Sequence, residues 1–136
     1  LQDNTDTLRL PEETTWACHR SLVTELRTQM TGDKVPGCLV TCVGGGGLAL
    51  GLLQGLDTCL TWRHVPLVAM ETHGANCLSE ARRAGAGVTL EAITSAATSL
   101  GALRVADTLL ERCLEQVSIS WPLIGQYWSR DLNTGL

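Results

Sequence analysis

The sequence predicts an α/β fold with a parallel βαβ core and flanking helices. Two apolar runs, residues 38–43 and 65–71, have the near-continuous hydrophobicity of strands that are buried in a parallel sheet. The helix-like segment 48–59 between them has the length of a crossover connection, and such connections are right-handed. Four consecutive glycines at 44–47 join the first strand to this helix. A loop at the carboxyl end of a strand indicates a ligand-binding edge of the sheet.

The other elements follow from local periodicity and turn residues. Apolar residues recur at intervals of three and four over residues 12–30, which predicts a helix before the first strand. Asn76 has a side chain that favours the N-cap position, so another helix is expected to begin there. The remaining expected elements are, in chain order, a turn over 32–37, a helix over 76–84, a loop over 85–94, a short helix or turn over 95–101, a helix over 104–115 and a segment over 116–120 that could form a third strand.

Composition limits the classes of function. The chain has 136 residues, enough for one domain, and its 44 % hydrophobic and 18 % charged residues are typical of a globular protein. A formal net charge of −4 argues against nucleic acid and against an anionic membrane as partners. No apolar stretch reaches the roughly 18 residues of a membrane span.

The six cysteines do not have the spacing of a zinc site or of a redox motif. Four of them, Cys38, Cys42, Cys59 and Cys113, lie among apolar residues. The sequence carries no secretory sign, so we expect buried, reduced thiols and a cytoplasmic location.

The glycine run is the strongest candidate site. Residues without a Cβ let N–H groups approach a ligand, and the positive end of the following helix dipole favours an anion. A flexible linker is the alternative, but both flanks are apolar and periodic. The dinucleotide motif would need glycine where Ala49 stands, and a P-loop would need a lysine after the glycines. The run therefore favours a single phosphomonoester, such as that of pyridoxal phosphate (PLP).

Several segments together resemble one family, the PLP-dependent serine/threonine dehydratases. They are the tetraglycine segment 41–48, the strand and loop 65–75, and the stretches 93–97 and 99–102. The resemblance covers roughly residues 11–118 and implies a partial tryptophan synthase beta-like domain (PLP fold type II). The expected domain organisation is a loose segment at 1–13, a partial dehydratase domain at 14–120 and a divergent tail at 121–136. The chain is therefore interpreted as a central fragment or a short isoform.

The resemblance also implies an activity. The family converts L-serine and L-threonine by β-elimination to pyruvate or 2-oxobutanoate plus ammonia, in amino-acid catabolism and gluconeogenesis, and its full-length members form homodimers. By resemblance, the cofactor phosphate is assigned to the loop and the residue after it: Gly44, Gly45, Gly46, Gly47 and Leu48. A monovalent cation, potassium, is assigned to the Glu71 carboxylate and to the backbone carbonyls of Ala75, Leu100 and Ala102. Oxygen ligands suit a hard cation.

No catalytic residue is assigned. The family holds its cofactor as a Schiff base on a lysine, whereas Lys34, the one lysine here, lies in a turn without the family's Ser-x-Lys surroundings. A turn lysine in water keeps a high pKa and is a poor imine former. A triad of Ser79, His73 and Asp107 is disfavoured because the nucleophile elbow is missing. The isolated chain is therefore expected to be inactive.

Two other classes remain open. The βαβ unit could be a non-enzymatic interaction module that pairs with a full-length dehydratase subunit. It could also belong to an unrelated nucleotide-binding α/β domain, although the dinucleotide motif is incomplete.

Overall fold

A computed structural model describes residues 12–115, which form helices around two short strands. In chain order the elements are α1 (Glu12–Gln29), β1 (Leu39–Cys42), α2 (Gly47–Thr58), β2 (Leu67–Met70), α3 (Cys77–Ala84), a 3₁₀ turn (Thr98–Leu100) and α4 (Asp107–Glu115). Residues 12 and 13 of the expected loose segment belong to α1. The rest of that segment, the possible strand over 116–120 and the tail over 121–136 lie outside the described residues.

The predicted βαβ unit is confirmed. Strands β1 and β2 are parallel, with Leu39 opposite Leu67 and Cys42 opposite Met70. Helix α2 connects them and contributes most of its residues to the core. The ladder continues one bond past the carboxyl end of β1, since the Val43 N–H donates to the Met70 carbonyl at 2.8 Å. The sheet therefore ends where the glycine loop begins.

Helix α1 packs closely on α2 because α2 carries two glycines on the contact face. A Cβ added at Gly51 would lie 2.7 Å from the Trp16 carbonyl oxygen, and one at Gly55 would lie 2.8 Å from the Arg20 carbonyl oxygen. Backbone approaches this close leave no room for a side chain. The core below this contact includes Trp62, which is 2 % exposed.

One face of the sheet is uncovered within residues 12–115. Thr41 and Val43 of the first strand segment are buried, whereas Val40 is 65 % exposed and Cys42 is also exposed. Side chains alternate between the two faces of a strand, so helices cover one face of this sheet and leave the other open. The expectation of buried thiols is wrong for Cys38 and Cys42, which are both exposed.

The remaining cysteines agree better with expectation. Cys59 and Cys113 are half-buried, Cys77 is buried, and all six cysteines of the chain are free thiols. Among residues 12–115, no helix is both long and apolar enough to cross a bilayer.

Candidate functional site

The glycine loop lies between the carboxyl end of β1 and the first turn of α2. Gly46 has φ +97°, and a Cβ there would lie 2.8 Å from Leu109 Cδ2. A Cβ on Gly44 would lie 2.6 Å from the Leu100 carbonyl oxygen. By contrast, a Cβ on Gly45 would meet nothing within 4 Å. Packing therefore requires glycine at 44 and 46, while Gly45 faces open space that a ligand can enter.

The carbonyls of the loop are held by the protein, and its N–H groups are not. The Gly45 carbonyl accepts a hydrogen bond from the Ala106 N–H at 2.9 Å, and the Gly46 carbonyl accepts one from Leu50 at 2.9 Å. Within the described part of the chain, the N–H groups of residues 45–48 donate to no protein acceptor. N–H groups left over at a helix N-terminus form an anion site. This donor set fits the phosphate of the cofactor implied by the sequence.

Glu71, at the end of β2, caps α3. Its side chain is buried, at 4 % exposure, and its Oε1 accepts a hydrogen bond from the Leu78 N–H at 2.8 Å. Its Oε2 accepts two more, from the Ser79 N–H at 2.8 Å and from the Ser79 hydroxyl at 2.6 Å. A carboxylate is favourable here because it satisfies the free N–H groups and faces the positive end of the helix dipole.

The prediction that the Asn76 side chain caps α3 is therefore wrong. Asn76 occupies the cap position but makes no side-chain capping bond. Its side-chain nitrogen instead donates to Glu80 Oε1 at 2.9 Å. Glu71 already supplies the acceptor that the N-terminal N–H groups need, and it reaches them from a residue seven positions earlier in the chain.

Cys77, the first residue of α3, links this helix to the glycine loop. Its side chain is fully buried, and its Sγ donates to the Gly44 carbonyl oxygen at 3.5 Å. Burial raises the pKa of the Cys77 thiol to about 11, and the negative charge of Glu71 adds to the effect. The thiol is therefore a neutral hydrogen-bond donor at physiological pH.

The residues assigned to the cation lie around the same loop. Leu100 presents its carbonyl to Gly44, and a Cβ on the next residue, Gly101, would lie 2.7 Å from Ala75 Cβ. Among the described residues, no N–H group donates to the carbonyls of Ala75, Leu100 or Ala102. The turn after β2 is joined to the segment that precedes the 3₁₀ turn by a 2.8 Å hydrogen bond between Thr72 and Ser95. Over residues 12–115, no group of three or more His, Cys, Asp or Glu side chains could hold a metal ion, so a cation here would depend on carbonyl oxygens.

The other candidates lie apart from one another. The Ser79 hydroxyl donates to Glu71, Asp107 forms an ion pair with Arg104 at 2.7 Å, and His73 is exposed. These contacts provide no Ser-His-Asp arrangement. Lys34 is exposed in the turn that precedes β1, at the strand end opposite to the glycine loop.

Sequence reasoning missed the roles that Cys77 and Ser79 have in this site. Their roles depend on contacts with Gly44 and Glu71, which are 33 and 8 positions away along the chain. No local pattern marks either residue. A cysteine and a serine at the start of a helix are compatible with many environments.

Comparison with known families identifies the class of protein to which this fold and this loop belong. Residues 4–120 match the sequence model of the family described as "Pyridoxal-phosphate dependent enzyme", and the chain belongs to that family. The predicted tryptophan synthase beta-like fold is thereby confirmed, and the alternative of an unrelated nucleotide-binding domain is excluded.

Individual relatives point to one branch of this family. The chain is 50 % identical over 104 residues to the human protein named serine dehydratase-like, covering 76 % of this chain and 30 % of the relative. It is 47 % identical over 91 residues to L-serine dehydratase/L-threonine deaminase of Bos taurus, covering 67 % and 27 %. It also resembles the crystal structure of an L-serine ammonia-lyase from Rhizomucor miehei, with 40 % identity and a TM-score of 0.66, covering 73 % and 31 %. The chain thus spans about 30 % of the length of these relatives.

Proposed function

We propose that this chain carries the phosphate-binding part of an L-serine/L-threonine ammonia-lyase, which forms pyruvate or 2-oxobutanoate plus ammonia. The observation that carries the proposal is the set of N–H groups at residues 45–48, which have no acceptor within the described structure. They lie at the start of α2, on a loop whose carbonyls are already bonded. The names of the relatives support the choice of substrates.

The loop would bind the cofactor through its phosphate. PLP, when bound, supplies the electron sink for removal of the α-proton and loss of the β-hydroxyl group. The N–H groups of Gly45, Gly46, Gly47 and Leu48 would donate to the phosphate oxygens, and the α2 dipole would favour their negative charge. The open side of Gly45 would let the backbone approach the ligand.

Glu71, Ala75, Leu100 and Ala102 would hold a monovalent cation such as potassium beside this loop. Three carbonyls without donors and one carboxylate are the oxygen ligands that hard cations prefer. The two Glu71 oxygens would bind the cation in addition to accepting the hydrogen bonds from two N–H groups and one hydroxyl that they already accept. A cation there would fix the 3₁₀ turn against Gly44.

No residue of this chain is assigned to bind the cofactor covalently or to remove the α-proton. Lys34 is exposed and lies at the wrong end of β1. A general base must be within hydrogen-bond reach of the proton that it removes. We therefore expect the isolated chain to bind the cofactor phosphate weakly and to lack ammonia-lyase activity.

The test separates binding from turnover. The chain is titrated with PLP and followed by tryptophan fluorescence, with inorganic phosphate as competitor. Pyruvate formation from L-serine is then compared with PLP alone. We expect saturable binding that phosphate displaces, and no pyruvate above the control. Absence of PLP binding would refute the phosphate site, and turnover that is lost in Lys34→Ala would refute the role given to Lys34.

An interaction module is the second candidate, and the uncovered sheet face supports it. Val40 and Cys42 expose an apolar surface on a parallel sheet, and such sheets are covered on both faces in complete domains. A full-length dehydratase subunit could supply the cover. Size-exclusion chromatography of the chain mixed with such a subunit tests this, with Val40→Lys as the variant that should abolish the complex.

The cellular setting belongs to the proposal as well. A cytoplasmic location agrees with six free thiols. A role in amino-acid catabolism and gluconeogenesis follows from the proposed substrates and products. Homodimers are proposed for the full-length subunits, with neither nucleic acid nor a membrane as partner.

A further inference from the structure

The carbonyl groups of the glycine loop determine where its N–H groups point. A peptide unit is planar, and in the trans form its C=O and N–H point in opposite directions. No cis peptide bond occurs in the described residues. The Gly44 carbonyl and the Gly45 N–H belong to one such plane, and the Gly45 carbonyl and the Gly46 N–H belong to the next. Fixing a carbonyl therefore fixes the direction of the N–H group that follows it.

The carbonyl of each of these two peptide planes accepts one hydrogen bond. The Ala106 N–H holds the Gly45 carbonyl, at 2.9 Å. The Cys77 thiol holds the Gly44 carbonyl, at 3.5 Å. The first contact is made by backbone and is independent of side-chain identity. The second depends on the residue at position 77.

Cys77 is itself held in place. The two residues after it, Leu78 and Ser79, donate their N–H groups to the buried Glu71 carboxylate. The thiol therefore has a defined position relative to the end of β2. On the other side of Gly44, the Leu100 carbonyl would lie 2.6 Å from a Cβ, so the Gly44 peptide cannot move far in that direction.

We propose that Cys77 is a positioning residue, which holds the Gly44 carbonyl and so directs the Gly45 N–H away from α3 and toward the bound phosphate. The role of the thiol in phosphate binding rests on the proposed function, whereas its role in orienting the Gly44 peptide rests only on the observed contact. A Cβ on Gly45 would meet nothing within 4 Å, which agrees with an open side on which a phosphate can sit. Among the described residues, Cys77 is the only one whose side chain donates a hydrogen bond to the Gly44 carbonyl.

The experiment compares Cys77→Ser with Cys77→Ala in the full 136-residue chain. The two substitutions differ by one hydroxyl group, and only serine keeps a donor. We expect the serine variant to bind PLP and inorganic phosphate within about twofold of wild type, and the alanine variant to bind both about threefold to tenfold more weakly, as for loss of one hydrogen bond. The same pair at Cys113 is the matched control and should show no difference, because this half-buried thiol in α4 makes no hydrogen bond to the loop among the described residues.

A second measurement follows NMR chemical shifts of the loop in the absence of ligand. The ¹⁵N shift of Gly45 and the carbonyl ¹³C shift of Gly44 respond to a hydrogen bond at that carbonyl. We expect both signals to move in Cys77→Ala and to stay near wild type in Cys77→Ser, with the signals of α1 unchanged. If the alanine variant does not fold, Cys77→Thr and Cys77→Val form a larger pair that again differs in one hydroxyl group.

The outcomes separate the two proposals. If wild type binds PLP but the donor and non-donor variants bind it equally, the role of Cys77 in binding is wrong and the proposed function stands. If wild type does not bind PLP, the proposed function fails, and equal Gly44 and Gly45 shifts in the two variants then refute the positioning role as well. The inference is supported if the non-donor variants bind more weakly and show shifted loop signals, while the donor variants do neither.

Discussion

Replacing Gly45 and Gly46 in turn should separate ligand binding from stability. Gly46 has φ +97°, and an added Cβ would lie 2.8 Å from Leu109 Cδ2 and 3.3 Å from Val105 Cγ2. The left-handed conformation costs a side chain roughly 1–2 kcal/mol, and overpacking costs a further ~1–3 kcal/mol. Gly46→Ala should therefore lower the free energy of unfolding by about 2–5 kcal/mol.

The neighbouring position should behave in the opposite way. A Cβ on Gly45 meets nothing within 4 Å, and its φ is not positive. Gly45→Ala should change the free energy of unfolding by no more than about 1 kcal/mol. Gly45→Val should keep the fold and lose PLP binding, because its branched side chain occupies the space that the phosphate needs.

Urea unfolding, followed by the fluorescence of the buried residues Trp16 and Trp62, measures the stability of each variant. PLP titration in buffer without urea measures binding. The reasoning is refuted if Gly45→Ala destabilises the chain more than Gly46→Ala does. It is also refuted if Gly45→Val binds PLP as tightly as wild type.

Three further predictions concern single side chains. Glu71→Ala leaves the α3 N–H groups without their acceptor and should lower the free energy of unfolding by ~3 kcal/mol in a urea titration. Asp57→Ala breaks only the 2.8 Å surface pair with Arg112, so the same titration should show a loss below about 1 kcal/mol. Burial tends to raise the pKa of Cys59, but the hydrogen bond from Thr61, the nearby N–H groups and the charge of Arg27 together lower that pKa. In Cys113, by contrast, burial raises the pKa of the thiol. A lower pKa gives more thiolate at neutral pH, so mass spectrometry of iodoacetamide-treated protein at pH 7 should find Cys59 alkylated faster than Cys113; the reverse order would contradict these pKa directions.

The arrangement has a consequence for how the parts of a PLP site depend on one another. The glycine loop, the cap of α3 and the 3₁₀ turn meet around Gly44, through the Cys77 thiol on one side and the Leu100 carbonyl on the other. A change at Glu71 is transmitted to the loop through α3. We therefore expect Glu71→Ala to weaken PLP binding as well as to lower stability, although Glu71 itself accepts hydrogen bonds only from Leu78 and Ser79 among the described residues.

The local sequence determined the main features of the fold. Two continuous apolar runs with a periodic segment between them are typical of a parallel βαβ unit, because parallel sheets are covered on both faces in complete domains. The glycine run specified the position of the loop. The incomplete dinucleotide motif and the missing P-loop lysine favoured a single phosphate group as its ligand, which stays a prediction. The boundaries of α1, α2 and α4 fell within a few residues of expectation because helix periodicity is a local property.

Tertiary structure alone decided the contacts between distant segments. Asn76 has the side chain of an N-cap, yet Glu71 caps α3 because the fold brings the end of β2 to that helix. Cys42 sits in an apolar run, yet it is exposed because the helices cover only the other face of the sheet. The Cys77 thiol reaches Gly44 across 33 positions of the chain. Local periodicity carries information about which face of an element is apolar, and it carries none about which partner that face or its ends will meet.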